Sequence, residues 1–332
     1  METINNIYEI ARASKRRICL SEGEDPRVVE AAIRATRYGL AEVQLIGDAV
    51  KIEAQLDRAG GGDGIKVIDP LRSSKTTAYA ESYLELRRHK GMTAEVSLET
   101  MQTNLGFAAM MVRNGDSDGT IGGAVATTSD TVRAALQIIG KAPDFAVVSS
   151  CFLMMLKEPF NRAVAFADCG LIMQPTSEEL ANIAIATADT FSALTGQTPR
   201  IAMLSFSTMG SVKQEAHESI ERIRVAVDLV RAHQADLMID GEIQFDAAIV
   251  PEVANKKAPS SQLAGDANIF VFPSLSAGNI GYKIAQRIGG AVALGPILQG
   301  LSRPANDLSR GCSAEDVYQM IAVTAAQCLC QS

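Results

Sequence analysis

The stretch RRICLSEGEDPRVVEAAIRATRYGLAEVQLIGD, Arg16–Asp48, holds one complete strand–helix–strand unit. RRICLSE (16–22) is a short apolar run with a charged flank and reads as a strand. A helical pattern follows over 26–38. Pro26 stands in its first turn after Asp25, and Glu22, Glu24 and Asp25 put negative charge at the positive end of its dipole. VQLIGD (43–48) then reads as a second strand. Two strands joined by a helical crossover predict a parallel pairing.

The same rhythm extends outward. IKVIDP (65–70) and DGTIGG (118–123) predict strands, with helices over 49–58, 73–89, 95–114 and 129–140. Long apolar runs follow at 144–156, 162–173, 200–208, 237–250, 268–275 and 290–298. Helical patterns at 176–195, 212–233 and 278–288 separate them, and a final helix is predicted over 313–330. Runs apolar on consecutive positions suit strands buried on both faces, as in α/β folds with largely parallel sheets. GKAPD (140–144) marks a crossing between domains and GPILQGLSRPAND (295–307) a return. The expected division is therefore a discontinuous domain, 1–140 plus 297–332, and a second domain, 141–296. The last helix would pack back on the N-terminal half, with a cleft between the halves, where ligand pockets commonly form.

Composition narrows the function. The chain has 332 residues, 47% of them apolar, which suffices for full cores. A net charge of −7 argues against a nucleic-acid partner, which needs a basic face. Phe145–Leu156, the longest near-apolar run, is too short to cross a bilayer. Six cysteines without a C-x-x-C pair, and no signal peptide, point to reduced thiols and a cytoplasmic location. The histidines His89, His217 and His233 sit in charged helical stretches, so neither a metal site nor a Ser-His-Asp triad is expected. Chemistry must fall to carboxylate, hydroxyl, thiol or arginine.

Five stretches concentrate those groups. In GGAVATTSDTVRAAL (122–136), Thr127, Thr128, Ser129 and Asp130 stand at a helix start, with Arg133 one turn on. Backbone N–H groups and hydroxyls there can cradle an anion, and N-capping accounts for the same residues. LSFSTMGSVKQEA (204–216) repeats the logic with Ser207 and Thr208. Arg287 and Arg87 each end a helix, where a cation meets the dipole favourably. NDLSRGCSAED (306–316) sets a capping-box-like Ser313-x-x-Asp316 just after Ser309-Arg310-Gly311-Cys312. The cap explains Ser313 and could explain Asp316. It leaves a hydroxyl and a guanidinium in one turn, groups suited to an oxyanion or a phosphate.

RICLSEGEDPRVVEAA, GGAVATTSDTVRAALQII, AMLSFSTMGS, IDGEIQFDAAIVPEVA, FPSLSAGNIGYKIAQR and GPILQGLSRPANDLSRGCSAEDV together resemble the phosphate acetyltransferase family in its short, single-module form, over nearly the whole chain and in order. The resemblance implies two three-layer α/β/α domains related in fold to the isocitrate and isopropylmalate dehydrogenases. It implies a homodimer and no tightly bound cofactor or metal. The implied substrates are coenzyme A, acetyl-CoA, phosphate and acetyl phosphate. Ser309, Arg310 and Asp316 match the family's catalytic motif. Arg87, Arg133 and Arg287 match arginines that handle CoA and acyl phosphate, with Thr127, Thr128, Ser129, Ser207 and Thr208 as candidate substrate contacts. Departures fall at Ala126, where relatives often carry a polar or aromatic residue, and at Ile172–Pro175.

By that resemblance Asp316 takes the CoA thiol proton. An unperturbed aspartate titrates near ~3.9 and a thiol near ~8.5, so transfer is uphill by about 6 kcal/mol unless the site favours the thiolate. Arg310 could do so, while Ser309 donates to the oxyanion. A phosphate butyryltransferase is the nearest alternative. A non-catalytic acyl-CoA-sensing module, like those of malic enzymes, is a second, and a metal-dependent decarboxylating dehydrogenase a third. The lack of a nucleotide fingerprint weighs against the last.

Overall fold

The computed structural model describes residues 2–211 and 218–330. His217 and the opening turn of the helix expected over 212–233 lie outside the described residues. The first elements are α1 (Glu2–Ser14), β1 (Arg17–Leu20), α2 (Pro26–Arg37), β2 (Glu42–Ile46), α3 (Ala49–Arg58) and β3 (Lys66–Ile68). Next come α4 (Thr76–Arg87), α5 (Ala94–Gln102), α6 (Asn104–Arg113), β4 (Gly119–Gly122) and α7 (Thr128–Ala134). The middle of the chain forms β5 (Ser149–Met155), β6 (Ala163–Ala167), α8 (Ser177–Thr195), β7 (Arg200–Leu204), α9 (Glu218–His233) and β8 (Met238–Ile243). It continues with α10 (Phe245–Ile249), α11 (Pro251–Lys257), β9 (Ile269–Val271), α12 (Leu275–Arg287) and β10 (Val292–Gln299). Last are β11 (Ala305–Asp307) and α13 (Ala314–Cys330). The chain divides into two compact units, Glu2–Ala142 with Leu301–Ser332, and Pro143–Gly300.

In the discontinuous unit five strands pair in the order β11-β4-β1-β2-β3, all parallel. The chain steps from β1 out to β3, then returns to lay β4 on the other side of β1. Strand order therefore reverses between β1 and β4. At such a switch point the loops leaving neighbouring strands diverge and open a crevice at the strands' carboxyl ends.

Both faces of this sheet are covered, which is why Ile18, Cys19 and Leu20 are buried in succession. Gly119 and Gly122 lie three apart on β4 and so face opposite sides. A Cβ on Gly119 would come 2.7 Å from Thr324 of α13, and one on Gly122 would come 2.9 Å from Leu105 of α6. Two helices thus approach the strand from its two sides. Tyr318 of α13 packs its ring on Tyr8 of α1, at 5.5 Å between centroids, and under the Arg34 guanidinium of α2 at 4.3 Å. Arg34 also pairs with Glu315 at 2.7 Å. The segment that follows Ser309 and Arg310 is therefore anchored on a rigid layer.

The second unit holds six strands in the order β10-β5-β6-β9-β7-β8. Its last three pairings are parallel and its first two antiparallel. The sheets are largely parallel, as expected, with an antiparallel edge on this one. The link from β5 to β6 is a hairpin closed by Leu156 N–H on Arg162 C=O at 2.9 Å, too short to carry a crossover helix.

Other differences have local causes. α1 was not expected, yet Ile7 and Ala11, one turn apart, are fully buried. The helix predicted over 95–114 is two helices. Thr103 between them is extended, and its hydroxyl accepts from Gly106 N–H at 3.1 Å, starting a new helix. The apolar run 237–250 is strand β8 and then α10, and the short β11 was read as loop.

Candidate active site

The opening of α13 has the geometry that Ser313-x-x-Asp316 predicts. Asp316 Oδ2 accepts from Ser313 N–H and Oγ–H, both at 2.8 Å, while Ser313 Oγ accepts from Asp316 N–H at 3.2 Å. The cap uses one carboxylate oxygen of Asp316. Its Oδ1 accepts from no described residue. Just upstream, Cys312 N–H donates to Ser309 C=O at 2.8 Å, closing a tight turn that presents Ser309 and Arg310 to solvent. The Arg310 side chain has no partner among the described residues.

What holds this turn is Arg27, at the start of α2. Its guanidinium grips Asp25 through Nε and Nη2, at 2.9 and 2.7 Å. Nη1 donates to Arg310 C=O at 2.8 Å and Cys312 C=O at 2.9 Å, and Nη2 also donates to Ala124 C=O at 2.8 Å. One side chain thus ties the turn after β11 to the loop after β4. The paired Asp25 holds the guanidinium protonated more firmly than usual, and Arg27 in turn holds Asp25 below the ordinary carboxylate range.

Glu22 does a matching job from the end of β1. Its carboxylate accepts from the N–H groups of Ala124, Val125 and Ala126 at 2.6, 3.0 and 2.6 Å. These N–H groups belong to the loop ahead of α7, not to the helix start at 127–130 where the cradle was expected, and the anion they bind is the protein's own. Glu22 was expected to serve the dipole of α2. Strand order decides otherwise: β1 lies beside β4, so the residue after β1 faces the loop after β4.

Around this crevice α7 and α4 supply the remaining groups. Thr127 caps α7 by accepting from Asp130 N–H at 3.2 Å. Thr128 donates to Asp307 at 2.7 Å, and Ser129 accepts from Arg133 at 3.2 Å. Arg133 pairs with Asp130 at 2.8 Å, with both side chains about half exposed. Arg87, at the end of α4, is half-buried, and its Nε is buried without a hydrogen-bond partner among the described residues. A pocket of about 600 Å³ opens here. Ser21, Glu22, Asp130 and Arg133 supply its polar rim, and Val96, Leu105 and Ile138 its apolar wall, while Arg87, Ser309, Arg310 and Asp316 do not line it. This is the switch-point crevice.

The other predicted residues belong to the second unit. Ser207 and Thr208 are buried. Ser207 Oγ donates to Glu242 at 3.2 Å and meets Ser211 Oγ at 3.1 Å, while Thr208 Oγ1 donates to Gln244 at 3.2 Å. Glu242 is 1% exposed and is held by Arg224 at 2.7 Å, so these hydroxyls build the loop after β7. Arg287 ends α12 exposed, with no partner among the described residues. Also among those residues, no three His, Cys, Asp or Glu side chains converge as a metal cluster, and no helix is long and apolar enough to cross a membrane.

A family model described as phosphate acetyl/butaryl transferase matches residues 2–325. The chain belongs to this family. A phosphate acetyltransferase from Paracoccus denitrificans is 49% identical over 331 residues, covering 98% of this chain and 99% of that protein. One from Clostridium acetobutylicum is 47% identical over 335 residues, covering 98% of each. Among solved structures, a phosphotransacetylase from Streptococcus pyogenes superposes with a TM-score of 0.93 at 42% identity, covering 99% of this chain and 98% of that one. The chain is a transferase with the fold of the phosphotransacetylases.

Within that phosphotransacetylase frame, sequence reasoning missed Glu22, Arg27 and Asp307 as site residues. Glu22 and Arg27 sit inside the quoted SEGEDPR segment, but their partners are about 100 and 285 residues away in sequence. No local pattern encodes such pairings. Asp307 lay inside the opening of NDLSRG and could have been flagged as a carboxylate next to Ser309.

Proposed function

We propose that this chain catalyses reversible acetyl transfer, acetyl-CoA + phosphate = CoA + acetyl phosphate, by direct thiolate attack in a ternary complex. The observation that carries this reading is the turn at Ser309 and Arg310. It offers a hydroxyl and a guanidinium without a partner among the described residues, next to the loop after β4, with its backbone clamped by Arg27. In the direction of thioester formation, Asp316 Oδ1 takes the CoA thiol proton. The thiolate sulfur forms a bond to the acetyl carbonyl carbon. The carbon–oxygen bond to phosphate breaks, and phosphate leaves with the electron pair. Ser309 donates to the tetrahedral oxyanion, a contact typically worth ~10²–10³ in rate. Arg310 offsets charge on thiolate and acyl oxygen. Arg87 and Arg133 bind the phosphates, Arg133 by exchanging Asp130 for substrate, and Thr127, Thr128 and Ser129 shape the loop beside them. In the second unit Arg287, Ser207 and Thr208 are the candidate substrate contacts.

Direct transfer is favoured over an acyl-enzyme because Cys312 is a poor nucleophile. It is 7% exposed, and burial pushes its thiol up. Initial rates with both substrates varied should give intersecting double-reciprocal lines. Parallel lines would mean a covalent intermediate and contradict the ternary complex. The guanidiniums supply the positive charge the reaction needs, so the enzyme works without a tightly bound metal or cofactor, and a chelator should leave the rate unchanged.

A homodimer and a cytoplasmic location complete the reading. Ile280 and Ile284 on α12 and Ile288 just past its end, four residues apart, are 59%, 52% and 83% exposed, with Val292 of β10 at 46%. A stripe this apolar on one helix face suits a self-complementary contact with a second copy. Ile284→Glu combined with Ile288→Glu should halve the mass measured by light scattering. An unchanged dimer mass would exclude α12 as the interface.

A further inference from the structure

We propose that Asp307 is a positioning residue: its carboxylate is the strut that sets the Ser309–Arg310 turn against α7 and so fixes Arg310 relative to Arg133. This rests on the acetyl-transfer reading above. Asp307 is the last residue of β11, and the chain runs from it through Leu308 straight into Ser309. It is 1% exposed. Its Oδ2 accepts from Thr128 Oγ1 at 2.7 Å, and Thr128 is the first residue of α7, one turn before Arg133. Its Oδ1 is buried and has no hydrogen-bond partner among the described residues. Leu308 N–H donates to Gly122 C=O at 2.7 Å, which locks the backbone beside it. Gly123 at φ +96 closes over the carboxyl, where a Cβ would stand 2.2 Å from Oδ1. The carboxyl is thus walled by β4, the loop after it and α7, and it touches both arms that carry candidate anion-binding guanidiniums.

A structural residue in this place would be expected to stabilise the fold, and Asp307 does the reverse. Burial, with the Glu22 charge adding to it, raises its carboxyl to about 6, while the hydrogen bond from Thr128 pulls the other way. These groups act on it from the end of β1 and from α7. The nearby Arg27 guanidinium is committed to Asp25 and three carbonyls. The folded value lies above the unfolded one. Its contribution to stability is therefore full below about 3.9 and is lost as pH rises toward the folded value. At neutral pH the ionised carboxylate burdens the fold. Burdens of this kind are retained where function needs them. As a carboxylate it holds Thr128 by a charge-assisted bond, roughly twice as strong as a neutral one.

Asp307→Asn keeps the shape and an acceptor for Thr128 but not the charge. It should melt higher than wild type at pH 8, with the difference vanishing near pH 4. Its kcat/KM for acetyl phosphate should fall by about tenfold through loosened positioning. The wild-type acid limb near pH 6 should also disappear. A variant that melts lower at every pH, or one that keeps both the wild-type rate and the limb, would overturn the strut. Failure of the wild type itself to make thioester would instead count against the acetyl-transfer reading.

Discussion

Arg27→Met is expected to cost both stability and rate. Met fills much of the space but removes the guanidinium hydrogen bonds by which Arg27 ties the turn after β11 to the loop after β4. Asp25, with a side chain 11% exposed, then loses its counter-ion, and the carbonyls of Ala124, Arg310 and Cys312 lose their donor. Breaking a largely buried pair from one side costs roughly 3 kcal/mol. Turnover should drop by about 10²-fold, since Ser309 and Arg310 lose their fixed position. Arg27→Lys should rescue little, because one ammonium cannot reproduce the fork. The pH response is also fixed in sign. Arg27 holds Asp25 below its ordinary range, so the pair stabilises above the unfolded value and loses this contribution as pH falls. Urea unfolding at pH 7 and pH 3 should therefore show a larger gap between wild type and Arg27→Met at pH 7. An equal gap at both would mean the ion pair is not what Arg27 contributes.

Asp316→Asn is expected to separate chemistry from folding. Asn can still accept from Ser313 N–H and preserve the start of α13, so stability should change by less than about 0.5 kcal/mol. The variant should bind CoA as wild type does by calorimetry. Its kcat should fall by about 10²–10⁴, the usual range for losing a general base. Asp316→Ala should show the same loss of rate with about 1 kcal/mol of lost capping in addition. Wild-type turnover in Asp316→Asn would leave the base unassigned and return Asp316 to a capping role alone.

The fold was largely legible because its signals are local. Pro26 after Asp25, the apolar run at Ile18–Leu20 and the capping box at Ser313 each act over a few residues, and each element they predict is present. Errors arose where a local signal was outweighed or absent. A single threonine hydroxyl at Thr103 divides a helix that periodicity alone would join. β11 is three residues long and exists because β4 offers it an edge. The site was legible only in part for a related reason. Ser309, Arg310 and Asp316 lie close together in sequence. Their support does not: Arg27 reaches the turn, and Glu22 reaches the loop at 124–126, only because β1, β4 and β11 are neighbours in the sheet. Strand order is set by packing across the whole unit, and no window of sequence reports it.

The most direct test mixes purified full-length chain with acetyl phosphate and CoA, in the presence of a chelator, and follows thioester formation for wild type and Arg310→Gln. The account predicts rapid formation by the wild type and a loss of at least about 10²-fold in the variant, since the unpaired guanidinium stabilises charge at the reacting atoms. No thioester from the wild type, or equal rates in the two proteins, would contradict it.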